Sequence, residues 1–283
     1  MVNTDLTYDS TSRFVETPGW KLHYHEAGEG HPVLFLHGSG PGATAWSNFH
    51  SNIGAFSDHF RVLLLDQPGW GESSPMEDAE GGHRQAIIEF LDALELEKVS
   101  LVGNSLGGIN ALEIAMTTPE RVANLITMGA PDLTIPNFFS PAGFSLGLQA
   151  VYRGFTDRTF EVYKNLIDVM TFDDRFLTDE FVQQRLDDAL KHPHHLDAFV
   201  ARAAQPRAGA VNWDAQKLAA LEHPTLLVHG RDDQVVPYEG TLRLLTMIPN
   251  SRAVLFNQCG HWAQVEKADE FNRVVIDFLQ TNS

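Results

Sequence analysis

The sequence predicts an α/β fold with a mostly parallel central sheet. Three observations predict it: short apolar runs recur along the chain, helical patterns separate the early ones, and a run–serine–helix passage is centred on Ser105. The runs are Val33–Leu36, Val62–Leu65, Val99–Val102, Leu125–Met128, Thr225–Val228 and Ala253–Phe256. Continuous apolar residues, rather than strict alternation, fit strands covered on both faces, as in parallel sheets. His83–Leu94 and Ser105–Thr118 carry helical periodicity, and Pro119 marks the end of the second.

The rhythm breaks after Met128. From about Asp132 to Leu221 no buried strand is evident, and phenylalanines recur at helical spacings instead: Phe138, Phe139, Phe144, Phe155, Phe160, Phe172, Phe176, Phe181 and Phe199. Strands resume at Pro224. The chain therefore divides into a core of residues 1–131, a helical segment of residues 132–221 and a returning core of residues 222–283. An insertion at the carboxyl edge of such a sheet lies above the binding crevice, so the helical segment reads as a lid.

Composition narrows the function classes. With 283 residues, 43% of them hydrophobic, the chain can bury one large core. Lys and Arg number 20 against 37 Asp and Glu, and the net charge of −17 argues against nucleic acid and anionic membranes as partners. The polar start, residues 1–12, lacks the basic and apolar regions of a signal peptide, and no apolar run is long enough to span a bilayer. One cysteine, Cys259, excludes an internal disulfide and fits a cytoplasmic protein.

Chemistry concentrates at Gly103-Asn104-Ser105-Leu106-Gly107-Gly108. Here G-x-S-x-G follows a strand and opens a helix, the setting that forces a serine into an exposed, strained turn. A serine hydroxyl needs a base, and the base needs a carboxylate to fix its tautomer. Two late strands end in suitable groups. The run ending Val228-His229-Gly230-Arg231-Asp232-Asp233 supplies the acid, and the one ending Gln258-Cys259-Gly260-His261 supplies the base. Asp233, three places after Gly230, is preferred over Asp232, and Asp132 stands as a second candidate. Small residues in His37-Gly38-Ser39-Gly40-Pro41-Gly42 allow backbone N–H groups to face the serine. With the N–H of Leu106 they form a candidate oxyanion hole, in which each donor is worth ~3–4 kcal/mol. The run Lys191-His192-Pro193-His194-His195 has no recognised metal spacing and reads as a solvated turn, and neither H-E-x-x-H nor C-x-x-C occurs. No metal and no cofactor are expected.

Together these motifs resemble the α/β-hydrolase superfamily along essentially the whole chain. The sequence is more narrowly similar to the meta-cleavage product hydrolases, which split a carbon–carbon bond in 2-hydroxy-6-oxohexa-2,4-dienoates. That similarity rests on the run from His37 to Asn48, on Asn104 beside Ser105, and on Cys259-Gly260-His261-Trp262-Ala263-Gln264. It implies an α/β-hydrolase fold with a helical lid inserted after the sixth strand, and Ser105, Asp233 and His261 as the triad. It also implies the N–H groups of Ser39 and Leu106 as the oxyanion hole, and Gly38, Gly40, Asn48, Asn104, Arg185 and Trp262 as contacts to an anionic dienoate. Arg185 would clamp the carboxylate through two parallel hydrogen bonds. A homodimer or larger homo-oligomer is implied as well. A carboxylesterase using the same triad is the alternative reading.

Overall fold

Period-two alternation inside the apolar runs sorts their side chains onto two faces of one sheet. A computed structural model of the chain describes residues 6–76, 82–130, 145–204 and 214–282. Its sheet has eight strands: β1 (Ser12–Glu16), β2 (Lys21–Ala27), β3 (Pro32–Leu36), β4 (Arg61–Leu65), β5 (Val99–Asn104), β6 (Val122–Met128), β7 (Thr225–Gly230) and β8 (Ser251–Phe256). They lie in the order β1-β2-β4-β3-β5-β6-β7-β8. β1 pairs with β2, and β2 with β4, antiparallel; every other pairing is parallel. All six runs identified above are strands. β1 and β2 are additional, and the apolar criterion misses them because β1 is largely exposed and β2 buries His23 and His25 among its apolar residues.

The helices are α1 (Tyr8–Thr11), α2 (Ala45–Ser57), α3 (Gly82–Ala93), α4 (Leu106–Thr117), α5 (Leu146–Thr156), α6 (Phe160–Met170), α7 (Asp179–Lys191), α8 (Pro193–Ala203), α9 (Ala215–Ala219), α10 (Glu239–Met247), α11 (Ala263–Glu266) and α12 (Ala268–Thr281). Leu34, Leu36, Leu63 and Leu101 pack on one face of the sheet with Ile87 and Phe90 of α3 and Leu112 of α4. Val33, Phe35, Val62 and Val102 pack on the other face with Phe49 and Phe56 of α2 and Phe271 and Val275 of α12. Both faces are covered, so the central strands read as unbroken apolar runs.

Among its described residues, the segment between β6 and β7 contributes helices α5 to α9 and no strand. It is tied to the core by a third apolar cluster, in which Phe155, Tyr163, Leu166, Met170 and Leu186 meet Val235, Val236 and Trp262. Phe155 stacks on Phe199 at 3.8 Å between centroids, as a packed insertion requires. Phe172 departs from the helical reading: it follows α6 and is exposed. Phe138, Phe139 and Phe144 lie outside the described residues, as does the alternative acid Asp132. Among the described residues no helix is long and apolar enough to cross a membrane.

Buried polar groups fix the ends of these elements. Asp66, just after β4, accepts the Ala45 N–H at the start of α2 at 2.7 Å, the His23 Nδ1–H at 2.8 Å and the Glu72 N–H at 3.1 Å. Burial opposes the Asp66 charge, but the hydrogen bond and charge of His23 outweigh it and hold the carboxyl below the usual range.

Helix α4 and strand β3 approach each other closely at Gly107. A Cβ there would stand 2.0 Å from the Leu36 carbonyl oxygen of β3. Alanine ordinarily favours a helix over glycine by about 1 kcal/mol. Here the clash with rigid backbone reverses that sign, because α4 would have to lift off β3. Gly107→Ala is expected to lower the unfolding free energy by about 1–3 kcal/mol, read as a lower urea midpoint; an unchanged or higher midpoint contradicts this packing.

Candidate active site

β5 ends at Asn104 and α4 begins at Leu106, leaving Ser105 alone in the turn. Its backbone sits at φ 52° and ψ −114°, in the left-handed half of conformational space that L-residues avoid. The turn persists because its neighbours leave no alternative. The Ser105 N–H donates to the Met128 carbonyl of β6 at 2.7 Å. A Cβ at Gly103 would come within 2.3 Å of the Gly107 carbonyl oxygen, so only glycine lets strand and helix close on each other. Leu106 is the first residue of α4, so its N–H has no helical carbonyl to meet and remains a donor beside the serine.

β3 ends beside this elbow. A Cβ at Gly38 would lie 3.3 Å from the Ser105 Cβ and 3.0 Å from the Asn104 Oδ1. The loop is held from behind by buried His37. Its Nε2 accepts the Gln67 N–H at 3.0 Å, which places the ring proton on Nδ1, and Nδ1–H donates to the Gly38 carbonyl at 2.7 Å. Burial lowers the His37 pKa and keeps it neutral, as this arrangement needs. The side chain of Gln67 in turn bonds the His37 carbonyl and accepts from Asn110 of α4. The loop and the elbow helix are thus locked together.

Asp233 and His261 meet as the sequence implies, with the Nδ1–H of His261 donating to Asp233 Oδ2 at 2.7 Å. A carboxylate only accepts, so the lone pair of His261 is left on Nε2. The other carboxylate oxygen, Oδ1, accepts the N–H groups of Val235 at 2.7 Å and Val236 at 2.9 Å. His229 is a partner that sequence reasoning missed. Its Nε2 lies 3.1 Å from Asp233 Oδ2 and 2.9 Å from the Val236 carbonyl, both acceptors, so Nε2 carries the proton. Its Nδ1 accepts from the Thr241 hydroxyl of α10 at 2.7 Å. The signal was available: His229 lies on the last turn of a buried strand, four residues before Asp233. Asp232 is on the surface side of this loop and pairs with Arg231.

The inserted helices reach the His261 loop directly. The His261 N–H donates to the Met170 carbonyl at the end of α6 at 2.8 Å. Buried Glu266 accepts the Gly260 N–H at 2.6 Å with one oxygen, and the Phe172 and Asp173 N–H groups with the other. Adjacent Cys259 is fully buried, and burial pushes its thiol pKa up, which leaves it protonated and unreactive.

Ser105 and His261 line one narrow cavity. Gly38, Ser39, Gly40, Asn48, Asn104, Arg185 and Trp262 line it too, so the structure brings together the remaining site residues, with Leu106 adjoining at the elbow. Leu148, Val151, Met170 and Val235 give it an apolar wall. Arg185 of α7 is 5% exposed. Its Nη1 donates to Ser47 Oγ at 3.1 Å, its guanidinium lies 5.4 Å from the Trp262 ring centre, and its Nε has no hydrogen-bond partner. Burial lowers its pKa to about 10, so it remains charged at neutral pH. The Oδ1 atoms of Asn48 and Asn104 also lack partners, as do both amide atoms of Gln264. Gln264 shares a smaller adjoining cavity with Asn48, Arg185 and Trp262 and is a second residue that sequence reasoning left without a role.

One expectation needs correction. The Lys191–His195 run is not simply a solvated turn. His192 joins α7 to α8, Pro193 opens α8, and His195 is buried at 6% exposure. The sequence pattern hid this because the covering surface comes from the distant loop containing Gly71 and Glu72.

The electrostatics of Asp233 predict a pH dependence. Burial raises its pKa, but the charge of His261 and the hydrogen bonds from His229 and His261 outweigh burial and hold the carboxyl well below the usual range. A folded pKa below the unfolded one contributes stability that is present above the unfolded value and is lost as pH falls through the folded value. Asp233→Asn is therefore expected to be about 3–5 kcal/mol less stable than the parent at pH 7, with the gap narrowing below the ordinary carboxylate range. Urea unfolding at neutral and acidic pH checks this, and a gap that does not change with pH contradicts it.

Comparison with known proteins identifies the family. Residues 31–268 match the family model described as alpha/beta hydrolase fold. The chain is 39% identical to 2-hydroxy-6-oxo-6-phenylhexa-2,4-dienoate hydrolase of Comamonas testosteroni, covering 98% of this chain and 99% of that one. It is 40% identical, with the same coverage, to a 2-hydroxy-6-oxononadienedioate/2-hydroxy-6-oxononatrienedioate hydrolase of Pseudomonas putida. The solved meta-cleavage product hydrolase of Pseudomonas fluorescens IP01 superimposes with a TM-score of 0.86 at 34% identity, over 96% of this chain and 99% of that one. The chain belongs to the α/β-hydrolase fold family and, within it, to the meta-cleavage product hydrolases.

Proposed function

We propose that the protein hydrolyses a carbon–carbon bond of a 2-hydroxy-6-oxohexa-2,4-dienoate in aromatic catabolism, giving a 2-hydroxydienoate and a carboxylic acid. Arg185 carries this reading. A buried guanidinium that lines the serine cavity, with no ion pair to a carboxylate among the described residues, is costly unless a ligand anion completes it. A neutral ester would leave that charge unanswered; a dienoate carboxylate supplies the partner. The free Oδ1 atoms of Asn48 and Asn104 can accept a hydrogen bond from the substrate's 2-hydroxyl, and the free Gln264 amide adds a donor for the carboxylate end.

The chemistry follows from the same groups. The substrate is an enol, and its C5–C6 bond cannot break until the 2-hydroxyl proton has moved to C5. In the resulting ketone the electrons released from C5–C6 flow into the 2-oxo-3-ene unit. His261, its Nδ1–H held by Asp233, takes the Ser105 proton at Nε2 as Ser105 attacks the C6 carbonyl. The N–H groups of Ser39 and Leu106 receive the developing oxyanion. Breaking C5–C6 sends its electrons to the 2-oxygen, which takes the proton from His261 to leave as the dienol, and the remaining acyl-serine is hydrolysed to the acid by water that the again neutral His261 activates. The helices from α5 to α8 act as the lid that encloses these steps.

The distal substituent is read from the cavity wall. The Comamonas relative is named for a 6-phenyl substrate and the Pseudomonas putida relative for a dioate, which carries a second carboxylate. Among the described residues lining this cavity Arg185 is the only Lys or Arg, and Leu148, Val151, Met170 and Val235 are apolar. This supports an uncharged aryl or alkyl group.

The test is to mix the purified protein with the coloured 6-phenyl dienoate and the nonadienedioate. The expected result is bleaching with release of benzoate, at a kcat/KM at least about tenfold above that for the dioate, the size of a ~1.4 kcal/mol preference. Ser105→Ala should bind the dienoate yet bleach it at least about 10³-fold more slowly. A stable colour alongside rapid hydrolysis of a simple aryl ester would establish the carboxylesterase reading instead. Arg185→Gln should raise KM for the dienoate by about 30-fold or more, corresponding to ~2 kcal/mol for a buried charge pair, and in the parent protein binding should weaken as pH rises past about 10. A KM unmoved by Arg185→Gln would remove Arg185 from the site.

A further inference from the structure

The corner between α7 and α8 carries three imidazoles that the hydrolytic site does not use. α7 ends at Lys191, His192 turns the chain, and Pro193 starts α8. This corner folds the rings together, with centroids of His192 and His195 5.5 Å apart and those of His194 and His195 4.2 Å apart. One ring nitrogen of each lies within 4.8 Å of the other two. Three imidazoles on one ion at ~2.0–2.1 Å would stand somewhat closer than that. The difference is within reach of small side-chain rotations, since His194 is exposed.

The hydrogen bonds behind the rings point the same way. His195 Nε2 lies 3.3 Å from the Gly71 carbonyl, and His192 Nε2 lies 3.2 Å from a Glu72 carboxylate oxygen. Both partners only accept, so both rings carry their proton on Nε2 and present a bare lone pair at Nδ1. A ring nitrogen held this way by a carbonyl or carboxylate is the outer support that metal-bound histidines carry. His195 is 94% buried, given its 6% exposure, and its Nδ1 has no hydrogen-bond partner. Glu72 is held in turn by Lys191.

We propose that His192, His194 and His195 form a binding site for a divalent transition ion such as Zn²⁺, three imidazoles with an open fourth position, which pins the α7–α8 corner to the core loop at Gly71 and Glu72. Three nitrogen ligands suit zinc, nickel or copper and not the oxygen-seeking calcium or magnesium. The overall charge of −17 favours cations over anions at the surface in general. The ion would act as a clamp on the helical segment and stands apart from the Ser105 chemistry. The corner lies seven residues, two helical turns, beyond Arg185.

The test uses the full chain, stripped with chelator and titrated with Zn²⁺ alone. Calorimetry should show one tight site per chain, and saturation should raise Tm on the order of 5 °C when Zn²⁺ exceeds Kd a hundredfold. His194→Ala and His192→Ala, both outside the buried core, should each weaken that site at least tenfold, whereas His59→Ala, elsewhere on the molecule, should not. Co²⁺ in the unmutated protein should give the visible absorption of a four-coordinate, nitrogen-ligated ion, which keeps the test independent of how the variants fold. No site at one Zn²⁺ per chain, affinity unchanged in either corner variant, or a Co²⁺ spectrum of the six-coordinate aqua type overturns the proposal.

Discussion

The left-handed backbone of Ser105 is the constraint around which the site is arranged. Such a conformation costs an L-residue on the order of 1–3 kcal/mol. It survives because β5, α4 and β3 meet with no room for side chains at Gly103 and Gly107, and because the Ser105 N–H is tied to β6. That approach puts the serine at the carboxyl edge of the sheet and aims the first N–H of α4 beside it. The loop after β3 arrives at the same edge and is fixed by neutral His37. The positions of Gly38 and Ser39 follow from the elbow, and so does the place where β7 and β8 must deliver their loops.

Around this frame the polar groups divide into two sets. One set is saturated. Asp233 has two backbone N–H groups on one oxygen and two imidazoles on the other, and Glu266 binds three backbone N–H groups that join the His261 loop to the end of α6. The other set is deliberately incomplete. Arg185 Nε, Asn48 Oδ1, Asn104 Oδ1 and the Gln264 amide are buried without partners. Each such group costs about 1–3 kcal/mol; the Arg185 and Gln264 N–H groups suit a carboxylate, and the two asparagine oxygens suit a hydroxyl donor such as the substrate's 2-hydroxyl. The saturated set makes the geometry rigid, and the incomplete set makes it selective. A preformed anion pocket of this kind fixes the substrate end that must accept electrons when the carbon–carbon bond breaks.

The features legible in the sequence were those set by local pattern. The buried parallel strands announce themselves as apolar runs, and the elbow by two glycines and a serine between a strand and a helix. Order along the chain pairs Asp233 with His261. β1 was not legible because it is largely exposed, and β2 because the fold buries His23 and His25 there on Asp66 and Thr11, which lie outside the strand. Gln264 escaped because an amide in an apolar stretch gives no sign that it will line a cavity, whereas His229, four residues before Asp233, was within reach of the strand-end pattern. The corner of His192, His194 and His195 looked like surface because Gly71 and Glu72, which cover it, lie about 120 positions earlier. The role of Arg185 came from family resemblance, since by pattern alone an arginine among the acids of α7 reads as an exposed helix residue.

The central claim is that the buried charge of Arg185 waits for the carboxylate of the substrate. The most direct measurement is the affinity of Ser105→Ala protein for a 6-phenyl dienoate and for its methyl ester, which has the same shape without the charge. The account predicts that the free acid binds at least about 30-fold tighter, the ~2 kcal/mol expected of a desolvated charge pair. Equal affinities would contradict it and leave the cavity as a general acyl-binding pocket.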